Sequence, residues 1–240
     1  MESICALCRT RAKLCRSHII PEFLYRPLYD EKHRYSVIRV GQERVSYAQH
    51  GLKEPLLCHA CEQRISQRER YAADVMTGRR GHRFHERDGR IIVTGIDYSS
   101  FKLFQLSILW RASVTTLDFF KLVSLGAHEA KLRRMLQDDD PGKPEDYGCV
   151  VVFATEGGED ISDTFFNPEP LRWAGHRMMK FFFAGSAWLF HCDSQAAPPY
   201  LRGLFLQSDG SLAGLAGDLA DARLSRRTAM KVARRAGVMR

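Results

Sequence analysis

Ser17-His18-Ile19-Ile20-Pro21 lies between two Cys-x-x-Cys pairs, Cys5-Ala6-Leu7-Cys8 before it and Cys58-His59-Ala60-Cys61 after it, with Glu62 closing the second pair. Two cysteines at this spacing form a knuckle, a tight turn that aims both sulfurs at one ion. A pair of knuckles completes the tetrahedral four-thiolate set preferred by structural zinc. Because 49 residues separate Cys8 from Cys58, such an ion would staple a long loop rather than a compact finger. A competing set, Cys5, Cys8, Cys15 and His18, has workable spacing but strands the second knuckle. Four buried thiols without an ion are the remaining alternative.

The rest of the chain limits what this knot belongs to. At 240 residues with 45% hydrophobic content, there is enough material for one large domain or two small ones with a real core. The net charge of +8 is unevenly placed. Residues 1–95 carry 18 Lys and Arg against 11 Asp and Glu, residues 96–217 carry 11 against 15, and residues 218–240 carry 7 against 2. A basic front and tail around an acidic middle fit a polyanionic partner, since Lys and Arg displace phosphate counterions; a solvated basic surface is the plain alternative.

Seven cysteines, four of them in knuckles, fit thiolate ligands in a reducing compartment better than a disulfide framework. No apolar run approaches the roughly 18–20 residues needed to cross a bilayer, and no leader pattern is present. The expectation is a soluble, cytoplasmic protein with no membrane contact.

Along the chain, residues 22–26 read as a helical turn after Pro21. Alternation over residues 35–40 and 44–47 reads as a hairpin. From Cys58 the pattern turns helical, placing Glu62, Ile65 and Glu69 on one face with Arg64, Arg68 and Arg70 beside them. Basic residues continue through Arg79, Arg80, Arg83 and Arg87. Ile91-Ile92-Val93 reads as a strand. Residues 101–111 read as an amphipathic helix, followed by further helices over 116–125 and 128–137. Asp138-Asp139-Asp140 before Pro141-Gly142 reads as a solvated helix exit. Beyond it, Cys149-Val150-Val151-Val152-Phe153 is a buried strand, and residues 178–183 and 188–192 flank Gly185-Ser186 as a hairpin. Residues 204–207 and 211–215 flank Ser208-Asp209-Gly210 as another, and a helix spans 218–235.

The knuckles, the Ser-His-Ile-Ile-Pro run and Leu56-Leu57-Cys58-His59-Ala60-Cys61-Glu62 together resemble the zinc-knuckle branch of the HNH (His-Me finger) endonucleases. The resemblance covers about residues 1–75. It implies a β-hairpin and helix gripping one divalent ion, with His18 as the general base that takes a proton from the attacking water. Residues 103–111, which include Trp110-Arg111, also resemble a segment that follows this core in uncharacterised bacterial proteins, without implying a function.

Three positions depart from the family. Ser17 stands where an acidic residue or His usually precedes the base, and Lys53 falls near the position of the orienting Asn. Glu62 replaces the closing His and is an oxygen ligand suited to magnesium or manganese. Glu69 or His59 would share that ion. Arg64, Arg68, Arg70, Arg79 and Arg80 would contact DNA, mainly through backbone phosphates.

The expected fold is α+β: an N-terminal zinc-stapled ββα-metal (HNH-like) core over residues 1–95, then residues 96–240 as a helical segment and a mainly antiparallel β region with a C-terminal helix. The implied function is a metal-dependent DNA endonuclease with structural zinc and catalytic magnesium or manganese. The alternative is a zinc-stapled nucleic-acid-binding or interaction module without activity. Residues 96–240 would regulate through a protein partner or a homo-oligomer, and the resemblance implies a bacterial defence role against phage or plasmid DNA.

Overall fold

The computed structural model of the chain describes residues 2–37, 46–79, 81–87, 90–156, 159–160, 163, 165–173 and 175–218. The first part carries β1 (Ser3–Ile4), β2 (Arg11–Ala12), β3 (Leu14–His18), a 3-10 helix (Glu22–Leu28), β4 (Tyr35–Val37), β5 (Ser46–Ala48), β6 (Lys53–Cys58) and α1 (His59–Met76). Strands β3 and β6 pair antiparallel and lead directly into α1, a ββα unit. The register slips between Cys15 and Arg16, so that Leu56 is left over on β6. Its carbonyl accepts from Ala6 N at 3.0 Å, which ties the first knuckle to the bulge.

Beyond α1 come β7 (Arg83–Arg87), β8 (Arg90–Thr94), α2 (Tyr98–Val114), a 3-10 turn (Asp118–Phe120) and α3 (Ala127–Gln137). They are followed by β9 (Cys149–Glu156), β10 (Glu159–Asp160), β11 (Phe166–Trp173), β12 (His176–Phe183), β13 (Ser186–His191), α4 (Pro199–Arg202) and β14 (Leu212–Asp218). One sheet runs β11-β12-β13-β9-β14-β8-β7, with β10 also on β9. The β14–β9 pair is parallel and the other pairs are antiparallel. The chain is therefore α+β, and its sheet takes strands from both sides of residue 95.

Successive side chains of a strand point to opposite faces. On one face Val151, Met179, Phe181, Trp188 and Phe190 join a core that continues through α2 into the ββα unit, reaching Leu57 and Cys5. On the other, Val150, Met178 and Leu189 pack with Leu201, Leu204 and Phe205 around α4. The β12–β13 turn uses Ala184 (φ 48°) and Gly185 (φ 69°), the left-handed pair that matches hairpin twist.

Several expectations need correction. Residues 101–111 are not amphipathic: Phe101 through Ala112 are buried without interruption, because α2 lies between the ββα unit and the sheet and meets protein on all sides. No helix spans 116–125 beyond the short turn Asp118–Phe120. Thr116 gives both its N–H (3.0 Å) and its hydroxyl (2.6 Å) to Glu54, and Thr115 is held extended. Within the basic stretch after α1, Arg83–Arg87 forms edge strand β7, for which no element was expected. Residues 204–207 are not a strand, because Leu204 and Phe205 are buried beside α4 and β14 pairs with β8 and β9 instead. The turn between β4 and β5 and the helix expected after Asp218 lie outside the described residues.

The entry to α2 depends on Gly210. Ile96 N donates to its carbonyl at 3.1 Å, and a Cβ there would sit 2.1 Å from the Ile96 carbonyl oxygen at a φ of +79°. Gly210→Ala is predicted to cost about 2–3 kcal/mol of stability, read from the urea midpoint. An unchanged midpoint would show that this contact does not constrain α2.

Candidate functional site

The two knuckles meet. The sulfurs of Cys5, Cys8, Cys58 and Cys61 lie within 4.8 Å of one another, and Cys8 Sγ is 3.7 Å from Cys58 Sγ. Zinc–sulfur bonds of about 2.3 Å in a tetrahedron place sulfurs about 3.8 Å apart, so the set fits a structural metal such as zinc. Among the described residues it is the only group of three or more His, Cys, Asp or Glu side chains gathered in this way. Cys15 and His18 are not part of it.

Local structure makes the convergence. Cys58 ends β6 and caps α1, its N–H reaching Cys5 Sγ at 3.3 Å, and Cys61 follows within the first turn of the helix. At the first knuckle Arg9 adopts φ 64°, and its N–H donates to Cys5 O at 3.0 Å. Burial raises the Cys5 and Cys61 thiols. It acts the same way on Cys8, but hydrogen bonds from Thr10, Cys5 and Cys61 outweigh it and bring that thiol down to about 6. A thiol lowered this far is readily delivered as thiolate to a cation.

Ser17 and His18 end β3 and, as neighbours on a strand, turn to opposite sides. Ser17 is fully buried and its hydroxyl donates to Glu62 Oε2 on α1. The His18 ring turns to the 3-10 helix, with Nε2 2.8 Å from Glu22 Oε2, and Tyr29 OH donates to the other oxygen of Glu22. Burial holds the His18 imidazole below its ordinary value; Glu22 and Glu69 oppose the shift, and Lys53 and Arg111 add to it. Lys53 is the cross-strand partner of His18. Gly51 lets the chain pass beside this group, since a Cβ there would lie 2.6 Å from the Tyr25 ring and 3.0 Å from Glu22 Oε2.

Compared with protein-family models, curated proteins and solved structures, the chain matches none of them.

The residues expected to act together do not form one cluster. His18 and Glu62 both border the end of β3, on its two sides. Glu69 is paired with Arg111 Nη2 at 2.7 Å, and His59 is exposed on the first turn of α1. Arg64 donates to the Leu136 and Gln137 carbonyls, and buried Arg68 pairs with Asp139, so both join α1 to the end of α3. Asp139, expected in a solvated exit, is the carboxylate they close on. Arg70 and Arg79 are exposed, and Arg80 lies outside the described residues.

Sequence reasoning missed Glu22 and Arg111. The four-residue spacing from His18 to Glu22 across Pro21 was a usable signal for the first. Arg111, 93 residues from His18, carried only the resemblance of its segment, with no role attached.

Zinc content tests the cluster. The purified chain is expected to hold one zinc per molecule, and Cys58→Ser to lose most of it and to unfold at lower urea. Stoichiometric zinc in Cys58→Ser, measured by atomic emission, would remove Cys58 from the ligand set.

Proposed function

We propose that the chain is a zinc-stapled endonuclease of the HNH type that hydrolyses DNA phosphodiesters, with His18 as general base. The observation that carries this reading is the His18–Glu22 pair at the end of β3. A carboxylate oxygen 2.8 Å from Nε2 favours the proton on that nitrogen, which leaves the lone pair of the neutral ring on Nδ1, and burial favours that neutral form at physiological pH. The carboxylate fixes the ring and stabilises it once it has taken a proton, as base-orienting carboxylates do. In the reaction His18 accepts a water proton as the water oxygen bonds to phosphorus. The phosphorus bond to the departing oxygen breaks, and that oxygen takes a proton from solvent.

Magnesium or manganese would supply charge neutralisation on the phosphate and the departing oxygen. Glu62 suits it as a carboxylate ligand, since magnesium keeps several waters and needs one or two protein carboxylates. Among the described residues of the expected set, exposed Arg70 and Arg79 would meet backbone phosphates, and defence against foreign DNA is the setting that the resemblance implies.

A second reading, a nucleic-acid-binding module without cleavage, is favoured by the Ser17–Glu62 hydrogen bond, which already engages one oxygen of the proposed ligand.

Plasmid nicking with added magnesium or manganese separates the two. The active reading predicts nicking by the wild type and a loss of about 100-fold or more in His18→Ala and Glu62→Ala with zinc retained. Glu22→Gln should lose less. The acid limb of the wild-type rate should fall below the ordinary imidazole value of about 6.5, because burial lowers the His18 pKa and the base is lost only when it protonates. DNA binding without nicking in any variant would select the second reading.

A further inference from the structure

We propose that Arg111 is a positioning residue for His18, so that α2, from the second part of the chain, completes a site that β3, β6 and α1 begin. The inference rests on the reading of His18 as the base. It assigns a task to the Trp110-Arg111 segment, which the sequence left without one.

Arg111 is 1% exposed, and all three of its side-chain nitrogens are used. Nη1 donates to the His18 carbonyl at 2.6 Å, Nη2 pairs with Glu69 Oε1 at 2.7 Å and reaches Ser107 Oγ at 3.3 Å, and Nε donates to Ser107 O at 3.2 Å. A buried guanidinium needs a carboxylate, and Glu69 meets that need. Its other arm goes to the backbone of the one strand residue whose ring faces Glu22. Holding the carbonyl fixes the peptide plane just after His18, and with it the direction from which the ring leaves the strand. Glu22 then holds the far end of the ring. The ring is thus located at two points by two elements, the 3-10 helix and α2.

The charged groups around His18 come from four elements: Glu22 from the 3-10 helix, Lys53 from β6, Glu69 from α1 and Arg111 from α2. Removing Arg111 takes away a cation and leaves Glu69 uncompensated, and both changes favour the protonated ring. Glu69→Gln acts in the opposite direction.

The test uses the full-length zinc-loaded chain as wild type, Arg111→Met, Arg111→Lys and Glu69→Gln. In Arg111→Met, kcat for nicking is expected to fall about 100-fold with KM little changed, as for a misplaced reactive group. The His18 ring titration, followed by NMR, should move to higher pH. Arg111→Lys should recover part of both effects, and Glu69→Gln should move the titration to lower pH. An unchanged ring titration in Arg111→Met, or a rise in KM with kcat intact, overturns the proposal. If Arg111→Met does not fold, Arg111→Lys decides: wild-type ring signals and kcat overturn the proposal, and a shifted titration with reduced kcat supports it. If the wild type does not nick DNA, the endonuclease reading fails by itself, and the ring titration still decides whether Arg111 positions His18.

Discussion

The convergence of four sulfurs within 4.8 Å is the constraint from which the first part of the chain is built. It closes a loop of about fifty residues, whose ordering would otherwise cost substantial chain entropy. It also fixes the phase of α1, since Cys58 and Cys61 occupy its cap and first turn. Once α1 is phased, Glu62, Ile65 and Glu69 face inward together. The first meets Ser17, the second enters the core and the third meets Arg111.

The second constraint is α2. A helix buried on all sides must find an internal partner for every polar group it carries, or bear the desolvation cost. Ser107 donates to Phe104 O, Arg111 is paired as described, and Lys102 Nζ donates to Pro144 O at 3.1 Å. Burial lowers the Lys102 pKa to about 8. The bonds that leave the helix, from Lys102 to Pro144 and from Arg111 to His18 and Glu69, fix its rotation; those of Ser107 stay within it. The Phe101 and Phe104 rings then meet Trp188 of the sheet at 6.3 and 6.1 Å. The sheet thereby supports α2, and α2 supports the end of β3.

What the sequence made legible was local. The knuckles, the turn after Pro21, the α1 face and the β12–β13 hairpin each follow from spacings of a few residues. What it hid was set by contacts between distant segments. Thr116 is tied to Glu54, 62 residues away, between the extended residues Thr115 and Leu117, which overrides the helical pattern there. Arg64 and Arg68 looked like solvated, phosphate-facing arginines because nothing local reveals that Asp139 returns to them. Burial of α2 from every side was hidden because Lys102, Gln105 and Arg111 are residue types usually found at the surface, although they do not gather on one face of the helix. Of the proposed site, His18 and Glu62 were named from the sequence, whereas the side chains they contact, Glu22 and Ser17 among them, follow from the fold.

The site stands between two chemistries because Ser17 and His18 share a strand end but face apart. His18 has the partner a base requires, while Glu62 is engaged by a hydroxyl that an arriving cation would have to share or displace. Both readings need the same scaffold, in which His18 is free of the metal knot. X-ray absorption at the zinc edge of the purified chain tests that most directly. The account predicts four sulfurs at about 2.3 Å and no nitrogen in the first shell. A shell of three sulfurs and one imidazole nitrogen, as Cys5, Cys8, Cys15 and His18 would give, would contradict it and remove His18 from any role as a base.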